Sequence, residues 1–245
     1  MNSHTTIEKM KQMRLYAMAD MYYRSLQEGL YSDYSLDQWL AMLVDHEWED
    51  KQNRKIQNLM KLAGFKTHAS AENIDYTATR NLDKTGFERL LSFEFVKRGQ
   101  NVIITGPTGV GKSYLAQVIG CGACRMLYKT LYFNTTRLME SVKLAKMEGS
   151  YIKLLNRIKK APLLILDDFG LQPFDNQSRQ ALMDIMEDRH GQGATIVAAQ
   201  VPVDKWYELI GEGTIADAIL DRLIHTAHKF ELQGESMRKK MKADY

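Results

Sequence analysis

The octapeptide GPTGVGKS at residues 106–113 constrains this chain more than any other stretch. It fills every fixed position of G-x-x-x-x-G-K-[ST], and it stands between the β-rich run Asn101–Thr105 and a helical run that starts near Gly111. Glycines let such a loop wrap a polyphosphate so that backbone N–H groups and the helix N-terminus face the negative charge. On this reading Gly106, Pro107, Thr108, Gly109, Val110, Gly111, Lys112, Ser113 and Tyr114 line a nucleotide site. Lys112 reaches the β- and γ-phosphates and Ser113 ligates the metal, so the expected cofactors are ATP and Mg²⁺.

A P-loop needs a parallel sheet behind it, and the sequence supplies one. From residue 100 short β-rich runs alternate with helical ones: NVIITG, a helix after Lys112, TLYFN, about two helical segments, PLLILDD, a helix from about Gln177 to Arg189, and ATIVAA. That alternation predicts an α/β fold with a central parallel sheet flanked by helices. The run Leu163–Asp168 ends in two carboxylates. In P-loop NTPases an aspartate at such a strand end holds Mg²⁺ together with the P-loop hydroxyl. Asp167 takes that role, and Asp168 is placed to orient or activate the attacking water. Gln200, directly after the strand Ala194–Ala199, is a candidate contact for the γ-phosphate or the water. Arg222, on an amphipathic helix from near Ile215, and Arg238, near the C-terminus, are isolated arginines to which spacing alone gives no role.

The rest of the chain sets limits. Apolar residues recur at helical spacing in the first 65 residues: Ile7, Met10, Leu15, Met18, Tyr22 and Leu26, then Leu36, Leu40, Leu43 and Val44. Breaks are expected near Gly29 and Ser32–Ser35, with Ser35 capping the next helix. Residues 1–66 are thus expected to form a helical N-terminal domain for oligomerisation or partner contact, 67–99 a linker leading into the core, and 100–245 the nucleotide-binding domain. The longest apolar runs fall short of the ~18 residues of a membrane span, and the polar start MNSHTTIEKMKQ lacks a signal-peptide core. A cytoplasmic protein without membrane contact is expected. Cys121 and Cys124 are the only cysteines, three apart in a helical segment; with no further ligands clustered nearby they read as helix packing.

Charge is unevenly distributed. Residues 1–75 hold 9 Lys/Arg against 11 Asp/Glu, which leaves 24 against 19 in residues 76–245. The stretch 125–160 concentrates nine basic residues against two acidic ones. Lys143 and Lys146 are three apart, Lys153 and Arg157 four apart, and Lys160 follows by three, so each helix can carry a basic stripe of the kind that meets phosphate backbones.

Taken together, GPTGVGKS, LLILDDFG, the strand ending AAQ-V-P-V-x-x-W, AILDRLIH and the terminal GESMRK resemble the IstB family of transposition helper ATPases, AAA+ relatives of the helicase loader DnaC and the initiator DnaA. The resemblance covers nearly the whole chain. It implies an ATPase that assembles on double-stranded DNA, contacts the DNA backbone without base readout, and helps a transposase select or remodel its target. It also implies roles for single residues. Lys112 and Ser113 resemble Walker A, Asp167 and Asp168 resemble Walker B, Gln200 takes the first sensor position, Arg222 resembles an arginine finger reaching a neighbouring subunit of a homo-oligomer, and Arg238 a second sensor. Two departures stand out: Asp168 replaces the more usual Glu, one methylene shorter, and Gln200 replaces Asn. Alternatives are a DnaC-like helicase loader, favouring single-stranded DNA, and a nucleotide-gated DNA-binding scaffold with little turnover. A small-molecule P-loop kinase fits poorly, because about 100 residues precede the loop.

Overall fold

The computed structural model describes residues 3–29, 34–67, 69–77, 79–211 and 213–237. The chain divides into two compact units, Met1–Asn58 and Leu59–Tyr245.

The first unit is helical. α1 (Ser3–Gln12) and α2 (Tyr16–Glu28) are joined by a tight turn in which Arg14 takes φ 61° and the Leu15 N–H donates to the Met10 carbonyl at 2.9 Å. Leu15 offers α2 no capping oxygen, and the helix would start with unmet N–H groups. Glu47, from α3 (Leu36–Ala63), supplies the acceptor: its buried carboxylate takes the Met18 N–H at 3.0 Å and pairs with Lys51 at 3.3 Å. Ser35 caps α3 as expected, in a reciprocal box with Gln38: the Gln38 N–H donates to Ser35 Oγ at 3.3 Å and the Ser35 N–H to Gln38 Oε1 at 3.0 Å. The apolar periodicity is only partly spent on the core of this unit. Ile7 and Leu43 are buried in it, whereas Leu36, Leu40 and Val44 are exposed.

The second unit is built on a five-stranded, wholly parallel sheet. Its strands are β1 (Val102–Thr105), β2 (Thr130–Asn134), β3 (Leu163–Phe169), β4 (Ala194–Ala199) and β5 (His228–Glu231), in the spatial order β2-β3-β4-β1-β5. The central strands are apolar throughout because helices cover both faces. On one face Val102, Ile104, Leu163, Ile165, Ile196 and Ala198 pack against α4 (Lys84–Leu90), α5 (Glu94–Lys97) and α6 (Lys112–Arg125). On the other, Ile103, Leu164, Leu166, Val197 and Ala199 pack against α7 (Thr135–Met147), α8 (Tyr151–Lys159), α9 (Asn176–Arg189), α10 (Trp206–Ile210) and α11 (Gly213–Ile224). Neighbours in sequence thus alternate between two cores, as the period of two dictates.

Residues 67–99 behave differently from a linker. Ala69, Ile74, Phe87, Leu90, Phe93, Phe95 and Val96 are buried in the first of these cores, and Arg80 is buried beside the P-loop. The part before α4 is packed as an irregular covering, and α4 and α5 complete it. Cys121 and Cys124 are free thiols buried on α6. Among the described residues no helix is long and apolar enough to cross a membrane.

Candidate nucleotide site

In a parallel sheet the carboxyl ends of all strands lie at one edge, and ligands collect there beside the strand where the connection order reverses. Here β1 delivers the P-loop, β3 delivers Asp167 and Asp168, and β4, hydrogen-bonded between them, delivers Gln200. The loop itself carries three positive-φ glycines, Gly106 at 145°, Gly109 at 88° and Gly111 at 98°, and ends directly in α6. Lys112 is almost wholly buried and folds back to donate to the Pro107 carbonyl at 2.8 Å. Burial pushes its ammonium pKa down, against the opposing pull of Asp167 and Asp168. A desolvated ammonium of this kind gains most from an incoming anion.

Ser113 Oγ donates to Asp167 Oδ1 at 2.8 Å. The P-loop hydroxyl and the β3 carboxylate are therefore already within one coordination shell, which is the oxygen-donor set that Mg²⁺ takes alongside phosphates. The Tyr132 hydroxyl donates to Asp167 Oδ2, and Thr135 Oγ1 donates to the Asp167 carbonyl at 2.9 Å, so the carboxylate is fixed from behind. Burial, and then Asp167 itself, push the Tyr132 phenol pKa up, and it stays a neutral donor.

Asp168 sits on an irregularity. Leu166 pairs with Val197 and Phe169 with Ala199, so β3 carries one residue more than β4 over this step, and Asp168 takes φ 55°. This bulge re-aims the side chain. Its Oδ2 accepts from Asn134 Nδ2 at 2.8 Å, while Asn134 Oδ1 caps α7 by accepting the Arg137 N–H at 3.2 Å. Gln200 joins the site through Thr108, whose hydroxyl donates to Gln200 Oε1 at 2.7 Å.

Two further expected positions make their side-chain contacts elsewhere. The Tyr114 hydroxyl bonds the backbone of Ser70, donating to its carbonyl at 3.1 Å, so this side chain tethers the 67–99 segment to the first turn of α6. Arg222 lies at the opposite edge of the sheet. Its carbonyl accepts from Asn101 Nδ2 at 2.8 Å just before β1 begins, and its guanidinium pairs with Glu187 and donates to the Ala218 carbonyl at 2.9 Å. Arg238 lies outside the described residues.

Two residues without any motif also belong to the site. Lys66 Nζ stands 3.9 Å from both Asp167 Oδ2 and Asp168 Oδ2, over the Tyr132 ring at 5.7 Å. Its backbone is pinned to the P-loop helix, since the N–H groups of Lys66 and Thr67 donate to Gln117 Oε1 at 2.8 and 3.1 Å. The other is Arg80, whose Nη1 donates to the Val110 carbonyl at 3.2 Å.

The basic stretch is split by its surroundings. Lys143 pairs with Asp175 at 2.5 Å, and Lys146 lies 4.8 Å from the Tyr151 ring centroid. Lys153, Arg157 and Lys160 are exposed, along or just past α8, near the exposed apolar Ile152.

Comparison with known proteins gives the family. The profile of the IstB-like ATP binding protein family matches residues 8–244. An insertion sequence ATP-binding protein of Sinorhizobium fredii is 39% identical over 239 residues, 98% of either chain. The IS1162 ATP-binding protein of Pseudomonas fluorescens is 36% identical over 208 residues, covering 82% of this chain and 88% of that one. Among solved structures, DnaI superposes with a TM-score of 0.58 at 22% identity, covering 67% of this chain and 91% of that one. AMPPCP-bound DnaA from Aquifex aeolicus gives 0.59 at 18% identity, over 74% and 55% of the two chains. At such identities these two show the fold alone, a parallel sheet flanked by helices.

Proposed function

The chain belongs to the IstB-like ATP-binding protein family, and from that premise we propose that it is a Mg²⁺-dependent ATPase that assembles on double-stranded DNA and assists a transposase in insertion-sequence transposition. The observation that carries the catalytic part is the 2.8 Å hydrogen bond from Ser113 to Asp167, with Asp168 set apart from it by the bulge. Ser113 and Asp167 would hold the metal, which would neutralise phosphate charge. Asp168, held by Asn134, accepts a hydrogen bond from the attacking water and orients it in line with the γ-phosphate. Lys112 turns from the Pro107 carbonyl to the phosphates, and Gln200, already against Thr108, borders the γ-phosphate.

Arg222 supports the assembly. From Asn101 to Gly106 the chain advances about 16 Å along β1, at roughly 3.3 Å per residue. That is more than an arginine side chain spans, so a catalytic role for Arg222 requires a pocket on another copy of the chain. The exposed cations Lys153, Arg157 and Lys160 are the best-placed part of the basic stretch for DNA phosphates, with Lys143 and Lys146 joining once released from Asp175 and Tyr151. The transposase is the partner that the relatives' insertion-sequence names suggest. Residues 1–66 serve oligomerisation or partner contact, and Arg238 acts as a second sensor. Phosphate release by the full chain, measured with and without duplex DNA and with and without Mg²⁺, tests the reading. Turnover that requires Mg²⁺, rises with duplex and vanishes in Lys112→Ala is expected; nucleotide binding without turnover under every condition would leave a nucleotide-gated scaffold.

A further inference from the structure

The P-loop is gripped from outside. Two of its carbonyls, and that of Thr105 at the end of β1 just before it, accept hydrogen bonds from groups outside the loop: Gly109 O from the Met237 N–H at 2.9 Å, Val110 O from Arg80 Nη1 at 3.2 Å, and Thr105 O from the Leu232 N–H at 2.8 Å. A trans peptide is planar, with its C=O and N–H pointing in opposite directions. Each of these bonds therefore turns the partner N–H of the same peptide, on Gly106, Val110 and Gly111, away from the grip.

The grip is a single assembly. The Arg80 carbonyl accepts the Gln233 N–H at 3.0 Å, and Arg80 Nη2 donates to the Asp75 carbonyl at 2.9 Å. Gly234, at φ 93°, lies so close to Thr79 that an added Cβ would meet its carbonyl oxygen at 2.5 Å. The loop glycines face the same assembly: a Cβ on Gly106 would lie 2.4 Å from the Leu232 carbonyl oxygen, one on Gly109 2.1 Å from Ser236 Oγ, and one on Gly111 2.7 Å from Arg80 Nη1. A side chain is thus excluded at Gly106 by the Leu232 backbone, and one at Gly109 or Gly111 would displace Ser236 or the Arg80 head group. Arg80 is 4% exposed, and its Nε has no hydrogen-bond partner. Among the described residues the guanidinium donates to the Val110 and Asp75 carbonyl oxygens, with the Asp75 charge acting on it as well, and this buried cation stands immediately outside the Val110–Gly111 peptide.

We propose that Arg80 and the Leu232–Met237 segment form a clamp that presets the P-loop N–H groups for phosphate, with Arg80 as its positioning residue. This rests on the nucleotide reading of the loop. Preorganised dipoles cost no reorientation when the anion arrives, and the Arg80 charge adds to the same field. The clamp also joins the polyphosphate site to residues Leu232–Met237 through backbone contacts, so nucleotide occupancy and the placement of those residues are one equilibrium.

The test measures the affinity of the full chain for ATP and for inorganic tripolyphosphate, which sees the cradle without the base, together with the melting temperature of each variant free of ligand. Arg80→Met and Gly234→Ala are expected to weaken both ligands by the same factor, about tenfold or more, with Arg80→Lys between them and wild type. Weakening of ATP alone would place Arg80 at the base or ribose and overturn the clamp; so would a lowered melting temperature with both affinities unchanged. If Arg80→Met does not fold, Arg80→Lys and Gly234→Ala carry the same comparison. Lys112→Ala distinguishes failure of the clamp from failure of the nucleotide reading. Tripolyphosphate binding equal to wild type in that variant would remove the P-loop reading and the clamp with it, whereas loss there beside unchanged Arg80 variants would remove the clamp alone.

Discussion

If Arg222 acts on a neighbouring subunit, two inactive variants should restore each other. The Arg222 carbonyl is held at Asn101, before β1, and the P-loop begins after it, so the roughly 16 Å between them at about 3.3 Å per residue excludes action in its own pocket. Arg222→Ala should bind ATP normally and lose about 10³-fold in turnover, the scale of an arginine at the transferring phosphoryl group. Lys112→Ala should lose nucleotide and keep a sound finger. In a head-to-tail assembly each interface takes its pocket from one subunit and its finger from the next, so an equal mixture pairs two intact halves at about one interface in four. Phosphate release on duplex DNA should then recover to about a quarter of wild type, from a background near zero in either variant alone. Absence of recovery, with co-assembly demonstrated by cross-linking of differently labelled chains, would refute the shared site and leave the Glu187 pair as the whole role of Arg222.

Asp168→Asn should leave Mg-ATP affinity unchanged and slow turnover by about 10²-fold or more, the contribution of a positioned base; an unaltered rate, measured under single turnover, would shift that role to Gln200. Replacing Lys153, Arg157 and Lys160 together by Ala should weaken binding to unrelated duplexes equally and lower the salt slope by up to ~0.9 for each DNA phosphate left without its cation, and an unchanged slope would put the DNA surface elsewhere. Asp175 caps α9 by accepting the Ser178 N–H at 2.9 Å, and Asp175→Ala should cost about 1 kcal/mol in denaturant unfolding. Lys143, and then Ser178, hold its carboxyl below the usual carboxylate range, so the stabilisation is present at neutral pH and fades only as the pH falls below about 4; a wild-type advantage that persists undiminished in strong acid would contradict it.

What the sequence disclosed depended on whether the signal was local. The P-loop, the β3 carboxylates and the strand-helix alternation are each written in contiguous residues, and the structure brings Lys112, Ser113, Asp167, Asp168 and Gln200 to one edge of the sheet. Lys66 and Arg80 were hidden because they lie in a segment with neither period nor motif, and only packing against α6 and the loop gives them partners. A buried lone arginine has no sequence signature. Tyr114 shows the limit of a local motif: its backbone stands in the first helical turn, as the motif requires, while its hydroxyl bonds Ser70, a contact no local spacing encodes. The basic stripe was visible as composition, but Asp175, which holds Lys143, comes from a distant part of the chain.

The bulge at Asp167 and Asp168 has a consequence for which carboxylic acid can serve there. Alternation along a regular strand would send adjacent side chains to opposite faces, yet both carboxylates lie 3.9 Å from the one ammonium of Lys66. The extra residue permits this by placing Asp168 in the left-handed region, at φ 55°. Left-handed backbone costs an ordinary L-residue about 1–2 kcal/mol, and aspartate is among the few side chains that visit it readily. Glutamate would reach one methylene further toward the water while losing that tolerance, so chain geometry and reach are selected jointly. Asp168→Glu is a trade between stability and positioning rather than a repair.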